Sequence, residues 1–298
     1  MLFTTRIDIE PASFQISPCE RMLFVGSCFA DRIGARFAEE RFPVSVNPYG
    51  VMYNPASILH TLERVMRSVE CGVRSESFTT AVLTLGTNHV YVEKATGEIV
   101  DNCMKRPQQL FEERELSVDE CAEYLERSIS LLREHNPGIR IILTVSPIRY
   151  RKYGFHGSQL SKATLLLAID QVINTQHPTP NTQHPTPNTQ HPTPNTPLYY
   201  FPAYEIVLDE LRDYRFYDAD MLHPSSQAVE YIWERLVDSC FSPEAKQYLE
   251  EWRPVKEALA HRPFNPDSAE YKAFLQKAKD REQALAARYP GFSVNRKP

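Results

Sequence analysis

The chain has 298 residues, 42% of them hydrophobic, and a formal net charge of −5 with a pI near 6.0. The hydrophobic share suffices for a sizeable core, whereas the acidic balance argues against a nucleic-acid-binding protein and a polybasic membrane-surface protein. No apolar run approaches the length of a membrane span, and residues 1–15 lack the apolar core of a signal peptide. We therefore predict a cytoplasmic protein that binds neither nucleic acid nor a membrane, and the sequence leaves its oligomeric state open.

The cysteines show neither the spacing of metal ligands nor the pattern of a small disulfide scaffold. We expect free thiols in a reducing compartment, with no metal and no cofactor. The six are Cys19, Cys28, Cys71, Cys103, Cys121 and Cys240.

The first predicted unit is a strand, a tight turn and a helix between residues 21 and 41. Met22–Val25 is an unbroken apolar run, as in a strand buried on both faces, and Gly26 ends it. Ser27 then lies on the turn, where we expect its hydroxyl to be exposed at the carboxyl edge of the sheet and to face a helix N-terminus. Ser27 is either a nucleophile or the N-cap of this helix. Cys28 is a second candidate nucleophile, although we expect it to pack beneath the turn.

A short second strand is predicted at residues 42–46, and the loop after it falls on the same sheet edge as Ser27. The N–H of Gly50 and the side-chain amide of Asn54 could donate hydrogen bonds to an oxyanion there. Alternatively, Gly50 is a turn glycine and Asn54 caps the helix predicted from residue 54 to about residue 69.

The middle of the chain predicts two more buried strands, at Thr79–Leu85 and Ile139–Val145, with a hairpin of residues 90–92 and 99–100 between them. A capping box at Ser117 begins the helix that precedes the second of these strands. Arg149 follows that strand, and it either binds an anionic or polar substrate group or forms a surface ion pair.

After a helix at residues 160–173, the unit Asn-Thr-Gln-His-Pro-Thr-Pro occupies residues 174–180 and recurs at 181–187 and 188–194. Two prolines per unit exclude a coiled coil, so residues 174–197 should form a flexible, polyproline-like insertion. It joins a helix to the strand predicted at residues 198–201, and it should therefore project from the edge opposite Ser27.

The last motif is Asp220 followed three positions later by His223, just before a helix that begins after Pro224. A carboxylate so close can hold the imidazole in one tautomer, and the imidazole can then take a proton from a serine. The alternative is a helix N-terminus with an exposed histidine and a capping aspartate. Together with Ser27, the pair favours a catalytic triad.

The sequence resembles the bacterial GSCFA family, which looks like a branch of the SGNH/GDSL-type hydrolases. In SGNH enzymes an asparagine on the turn after the third strand donates to the oxyanion, and the resemblance suggests this role for Asn88. It also implies an O-acyl ester as the substrate, carried on a small molecule or a saccharide. The matching segments are Gly26–Ala30, Asn47–Pro55, Leu85–Thr87, Thr144–Arg149 and Asp220–Pro224.

We therefore predict a three-layer, SGNH-like (flavodoxin-like) α/β domain at residues 1–243, with a mainly parallel sheet and helices on both faces. A helical extension at residues 244–298 could cap this domain, form a lid or mediate dimerisation. In the predicted reaction Ser27 attacks an ester carbonyl, His223 acts as base and then as acid, and Asp220 orients His223. The N–H groups of Ser27 and Gly50 and an asparagine hold the oxyanion. An acyltransferase would use the same triad, and a non-catalytic ligand-binding module on the same fold is the rival hypothesis.

Overall fold

The structure is a computed structural model that describes residues 5–70, 77–101, 103–176 and 197–292. Its strands are β1 (Met22–Gly26), β2 (Val44–Val46), β3 (Thr80–Leu85), β4 (His89–Glu93), β5 (Ile99–Val100), β6 (Phe111–Glu115), β7 (Arg140–Val145) and β8 (Leu198–Tyr200). Its helices are α1 (Cys28–Glu39), α2 (Pro55–Glu70), α3 (Val118–His135), α4 (Gly154–Gln176), α5 (Ala203–Glu205), α6 (Ser226–Cys240), α7 (Pro243–Ala260) and α8 (Ala269–Arg288). A π-helical segment, Ile206–Leu211, continues α5.

The larger sheet has five parallel strands in the order β2-β1-β3-β7-β8, which confirms the predicted α/β fold class. Successive side chains of β1 enter opposite cores, because side chains alternate between the faces of a strand. Met22 and Phe24 join a core with α1, α6 and α7, whereas Leu23 and Val25 join a core with α2, α3 and α4. Both faces of the sheet are thus covered by helices.

A smaller antiparallel sheet, in the order β5-β4-β6, lies between β3 and α3 in the chain. It contains the predicted hairpin, in which Tyr91 pairs with Val100. Strand β6 was not predicted, because its sequence Phe-Glu-Glu-Arg-Glu has one apolar residue and exposes the other four side chains. Such a strand is stabilised mainly by its ladder with β4, which leaves little hydrophobic signal.

Gly26 allows β1 and β3 to approach each other closely just before the turn. A Cβ at Gly26 would lie 2.1 Å from the carbonyl oxygen of Thr84, and the backbone there has a φ of +144°. Only glycine tolerates this combination. The turn at residues 26–28 is therefore held directly against the end of β3.

Helices α7 and α8 cap the domain at the end of α1 that is remote from Ser27. The Tyr248 hydroxyl donates to Glu40 O at 2.6 Å, and Trp252 Nε1 donates to Glu39 O at 3.1 Å. The predicted boundary at residue 243 falls at the start of α7, yet α7 shares one apolar core with α1 and α6. Of the roles considered for this extension, capping fits these contacts.

The repeat insertion lies almost wholly outside the described residues, so its predicted conformation stays a prediction. Its flanks are described, since α4 ends at Gln176 and β8 begins at Leu198. Leu198 pairs with Ile141, close to the amino end of β7. The chain therefore resumes at the edge of the sheet opposite the turn at residues 26–28. None of the described helices is both long enough and apolar enough to cross a membrane.

Candidate active site

Ser27 is the N-cap of α1, as the alternative interpretation of the sequence holds. Its Oγ accepts the N–H of Phe29 at 3.2 Å and lies 3.1 Å from Thr84 Oγ1. The residue is 0% exposed. The prediction that this hydroxyl is exposed is therefore wrong, because the close contact between β1 and β3 encloses it.

Cys28, rather than Ser27, carries the partly exposed side chain of the turn. Its Sγ lies 3.7 Å from the hydroxyl of Tyr53, in the loop between β2 and α2. Cys28 also packs in part against the core that contains Met22 and Phe24. The expectation that Cys28 packs beneath the turn is therefore confirmed only in part, since the side chain is not fully buried.

Asp220 and His223 form a close pair on the loop before α6. Asp220 Oδ2 lies 2.5 Å from His223 Nδ1, and its Oδ1 accepts the N–H groups of Leu222 and His223 at 2.8 and 3.0 Å. The hydrogen bond from the His223 N–H is the main reason that the pKa of Asp220 lies well below its usual range. The carboxylate is therefore ionised and accepts a hydrogen bond from the protonated Nδ1 of His223. The other ring nitrogen, Nε2, is left free to accept a proton. The His223 side chain is 34% exposed.

Two arginines attach this loop to the carboxyl edge of the sheet. The Arg32 guanidinium, on α1, pairs with Asp218. Arg149, after β7, donates from Nη1 to Met221 O at 3.0 Å and from its N–H to Leu222 O at 3.1 Å. Its guanidinium also lies 4.1 Å from the ring centre of Phe155. Arg149 thus positions the histidine loop. Among the described residues it forms no ion pair, and its binding of a substrate group stays a prediction.

The structure brings the turn and the histidine loop to one edge, but it does not join Ser27 to His223. Within the described residues, Ser27 Oγ bonds to Phe29 and Thr84, and the His223 ring bonds to Asp220. A Ser27–His223 hydrogen bond therefore stays a prediction.

The predicted oxyanion donors mostly have other partners. The Ser27 N–H donates to Thr84 O and Oγ1, and the Gly50 N–H donates to Asn47 O at 2.8 Å. The Asn88 amide donates to Leu116 O at 2.7 Å, and the residue is buried. The binding of an oxyanion by any of these groups stays a prediction.

Asn54 caps α2, because its Oδ1 accepts the Ser57 N–H at 2.9 Å. This confirms the alternative interpretation of Asn54. A role for its amide nitrogen at an oxyanion stays a prediction.

Sequence reasoning missed a cluster of Tyr53, Tyr150 and Lys162 behind the turn. The rings of Tyr53 and Tyr150 pack edge to face with centres 5.8 Å apart, and Lys162 Nζ lies 4.9 Å from the Tyr150 ring centre. Burial, followed by the hydrogen bond and charge of Cys28, raises the pKa of Tyr53 to about 12. The Tyr150 hydroxyl is buried and has no hydrogen-bond partner in the described part of the chain.

Lys162 is buried, and among the described residues its amino group has no carboxylate partner. Its Nζ donates to Gly86 O and Ser146 O at 2.6 and 2.8 Å, so it links the ends of β3 and β7. Burial lowers the pKa of Lys162 to about 7. Two sequence features could have indicated this cluster: a lone lysine in an apolar helix, and Gly86. In the structure, a Cβ at Gly86 would lie 2.3 Å from the Tyr150 hydroxyl.

Among the described residues, no group of three or more His, Cys, Asp or Glu side chains is arranged to hold a metal ion. The reactive side chains at this edge include the hydroxyl and thiol of the turn, the Asp220–His223 pair and the tyrosine hydroxyls.

Comparison with known families gives two matches. The model of the GSCFA family matches residues 21–79 and 70–236, and the model described as GSCFA domain protein, C-terminal domain, matches residues 252–297. No curated protein matches the sequence significantly.

Several solved structures are similar to the chain. An acetyl esterase mutant with an acetate ion is 12% identical, covers 78% of this chain and 99% of its own, and has a TM-score of 0.42. A lipolytic protein of the G-D-S-L family from Veillonella parvula is 10% identical, and the alignment covers 74% of this chain and 97% of that protein, with a TM-score of 0.44. A catalytic mutant of an acetylxylan esterase from Geobacillus stearothermophilus is 14% identical. The alignment covers 77% of this chain and 98% of that protein, with a TM-score of 0.42. With TM-scores under 0.5, these likenesses decide neither the fold nor the activity of the chain.

Proposed function

The chain belongs to the GSCFA family, and we propose that it is an acyl-ester hydrolase that works through a covalent acyl-enzyme. The observation that carries this proposal is the 2.5 Å contact between Asp220 and His223, with the imidazole partly exposed at the sheet edge that also holds the turn at residues 26–28. What distinguishes this pair from a structural histidine–aspartate pair is its place at the sheet edge that holds two candidate nucleophiles, where the ionised carboxylate orients the imidazole.

In the proposed reaction, His223 Nε2 takes the proton of a nucleophile on the turn while that nucleophile attacks the ester carbonyl carbon. The carbonyl oxygen becomes an oxyanion near the N-terminus of α1, where the helix dipole favours negative charge. The protonated His223 then gives its proton to the departing alcohol. Water, activated by the same imidazole, releases the acid and restores the nucleophile.

The nucleophile in this scheme is Ser27, as the sequence predicts, or its neighbour Cys28. The Ser27 hydroxyl would first have to break its hydrogen bonds with Thr84 and with the Phe29 N–H, whereas the Cys28 side chain is already partly exposed.

The proposed substrate is a small or saccharide-borne acyl ester. Exposed aromatic side chains near the turn and the histidine loop support a saccharide carrier, since their flat faces suit sugar rings. Tyr49 and Tyr53 are each 40% exposed, and Tyr214 is 62% exposed. Transfer of the acyl group to an acceptor other than water would use the same intermediate.

One observation favours the rival hypothesis of a non-catalytic binding module. The hydroxyl of Ser27 and the N–H groups of Ser27 and Gly50 all have internal partners, so the predicted serine machinery is closed in this conformation.

Hydrolysis of p-nitrophenyl acetate and of acetylated xylo-oligosaccharides tests the proposal. We expect His223→Ala to lower kcat/KM by roughly 10²–10⁴-fold, which is the contribution typical of general acid–base catalysis. The matched control is His60→Ala, because His60 forms a second histidine–aspartate pair, with Asp101 at 2.7 Å, on α2. Its activity should equal that of the unaltered protein. No hydrolysis by the unaltered protein, or equal activity in His223→Ala, would contradict the proposal and favour the binding module.

A further inference from the structure

The turn between β1 and α1 presents two adjacent nucleophilic side chains in different surroundings. We infer that Cys28, and not Ser27, is the nucleophile of the proposed hydrolase, while Ser27 serves as the N-cap of α1. This inference rests on the proposed function, since it assigns one role within that reaction.

Access to a substrate distinguishes the two side chains. Ser27 is 0% exposed, and its Oγ is engaged by the Phe29 N–H and by Thr84 Oγ1. Attack by Ser27 would require a rotation that gives up both contacts and uncaps the helix. Cys28 needs no such rearrangement, because its side chain is partly exposed and its Sγ lies beside the Tyr53 hydroxyl.

Cys28 also shares a helix face with the residue that attaches the histidine loop. Arg32 follows Cys28 by four positions, and side chains at this spacing lie on the same face of a helix. The Arg32 guanidinium pairs with Asp218, which begins the loop that carries Asp220 and His223. Cys28 therefore faces the side of α1 where the histidine loop is attached, and the exposed His223 imidazole is available there to take the thiol proton.

The position of Cys28 favours the negative charge that develops when a carbonyl is attacked there. Cys28 is the first residue of a helix of 12 residues, and the positive end of the helix dipole stabilises an oxyanion at this position. The first turn of a helix has no intrahelical acceptors for its N–H groups. The N–H of Cys28 can therefore donate to the oxyanion that forms when its own sulfur attacks a carbonyl.

A buried hydroxyl in the tyrosine cluster that Cys28 contacts through Tyr53 provides an independent indication of a ligand. The Tyr150 Oη has no hydrogen-bond partner among the described residues, although buried polar groups are almost always paired. Burial, and then the charges of Tyr53 and Cys28, raise the pKa of Tyr150, so its hydroxyl remains protonated and able to donate. An acyl group on Cys28 would bring a carbonyl oxygen within the same cluster, as an acceptor for this donor.

The reaction balances without any co-reactant other than water. The Cys28 Sγ forms a bond to the carbonyl carbon of the ester, and His223 Nε2 takes the thiol proton. The electron pair of the carbonyl double bond moves to the carbonyl oxygen. Collapse of this intermediate breaks the carbon–oxygen bond of the ester, and the alcohol leaves with the proton from His223. Water then attacks the thioester carbon as His223 takes a proton from that water. The carbon–sulfur bond breaks, His223 returns the proton to sulfur, and the free acid departs.

Variant kinetics and thiol chemistry test the inference. We expect Cys28→Ala to lower kcat/KM for p-nitrophenyl acetate by roughly 10²-fold or more, and iodoacetamide to inactivate the unaltered protein in step with alkylation of Cys28. Ser27→Gly should keep most of the activity per folded molecule, because glycine replaces a serine N-cap at little cost. The matched thiol control is Cys103→Ala, which removes another partly exposed cysteine and should leave both activity and inactivation unchanged.

The outcomes separate this inference from the proposed function. Loss of activity in Ser27→Gly with full activity in Cys28→Ala would overturn the inference and leave the hydrolase intact. Full activity in both variants, together with loss in His223→Ala, would also overturn it. An unaltered protein without activity on any ester would overturn both. Circular dichroism of each variant identifies a change caused by unfolding, and Cys28→Val, which has a similar volume and no nucleophilic atom, repeats the test if Cys28→Ala unfolds.

Discussion

Helix α1 has one end at the candidate active site and the other in an aromatic core, and the two ends are built differently. At its N-terminus, the partly exposed Cys28 faces a loop held by polar contacts. At its C-terminus, Phe37 packs with its ring centre 4.8 Å from that of Trp233, and the carbonyls of Glu39 and Glu40 accept hydrogen bonds from Trp252 and Tyr248.

The difference shows how one helix separates stability from chemistry. Its C-terminal carbonyls have buried partners from α7, which stabilise the fold. Its first turn retains a thiol and a positive dipole end, which are useful for reaction and contribute little to packing. Changes at the C-terminal end should therefore affect the free energy of unfolding, and changes at the N-terminal end should affect catalysis.

The largest effect is expected from Trp252→Ala at the C-terminal end. It removes a fully buried indole and its hydrogen bond to Glu39 O, so we expect a loss of about 3–5 kcal/mol in the free energy of unfolding. This corresponds to a fall in Tm of roughly 6–10 °C. Esterase activity per folded molecule should be unchanged. Activity that falls while Tm stays constant would contradict the separation of the two ends.

Lys162 gives a test at the catalytic edge. Its pKa is about 7 in the folded state against 10.5 in its unperturbed state, so between these values the unfolded chain binds the extra proton. The free energy of unfolding should therefore rise with pH between pH 7 and pH 9, by roughly 1–2 kcal/mol more in the unaltered protein than in Lys162→Met.

Urea unfolding at several pH values measures this difference. The exposed lysine variant Lys277→Met is the control and should follow the unaltered protein at every pH. Parallel curves for the unaltered protein and Lys162→Met would show that Lys162 stays charged in the fold.

The sequence predicts best those features that depend on neighbouring residues. The apolar runs of β1 and β7 and the capping box at Ser117 predicted the parallel sheet and the start of α3, as the structure confirms. The roles within the turn could not be predicted, because the burial of Ser27 depends on contact with Thr84, which is 57 residues away in the chain.

The same reason explains why the tyrosine cluster was missed. Tyr53, Tyr150 and Lys162 come from three separate segments and meet only where β3 and β7 end. The lone lysine and Gly86 are local features, and neither indicates in one sequence that these three segments meet.

A smaller effect is expected when the histidine loop loses one attachment. Asp218→Asn weakens the contact with Arg32, and we expect a loss of several-fold in kcat/KM with less than about 1 kcal/mol in stability, since the pair is partly exposed. The control is Asp209→Asn, which alters the exposed ion pair with Arg212 away from the loop. Equal activity in the two variants would show that Arg32 does not position the loop.

The smallest effect is expected from shortening the repeat insertion. Deleting residues 181–194 removes two units whose flanks leave the sheet at the edge opposite the turn at residues 26–28. The deletion shortens the connection between α4 and β8 to about a third of its length, which changes the free energy of unfolding by only about 1 kcal/mol, since each halving of a surface loop contributes about 0.6 kcal/mol. Tm and the rate of p-nitrophenyl acetate hydrolysis should be nearly unchanged, and a large loss of rate would show that the insertion reaches the active site.

Trapping of the acyl-enzyme tests the central claim most directly. The tryptic peptide Met22–Arg32 contains both Ser27 and Cys28. After brief reaction with p-nitrophenyl acetate and acid quenching, fragment-ion mass spectrometry should find an acetyl group on Cys28 in the unaltered protein and much less of it in His223→Ala. Neutral hydroxylamine should remove the label, as expected for a thioester. Ester turnover without a label on this peptide, or a label on Ser27 alone, would contradict the account.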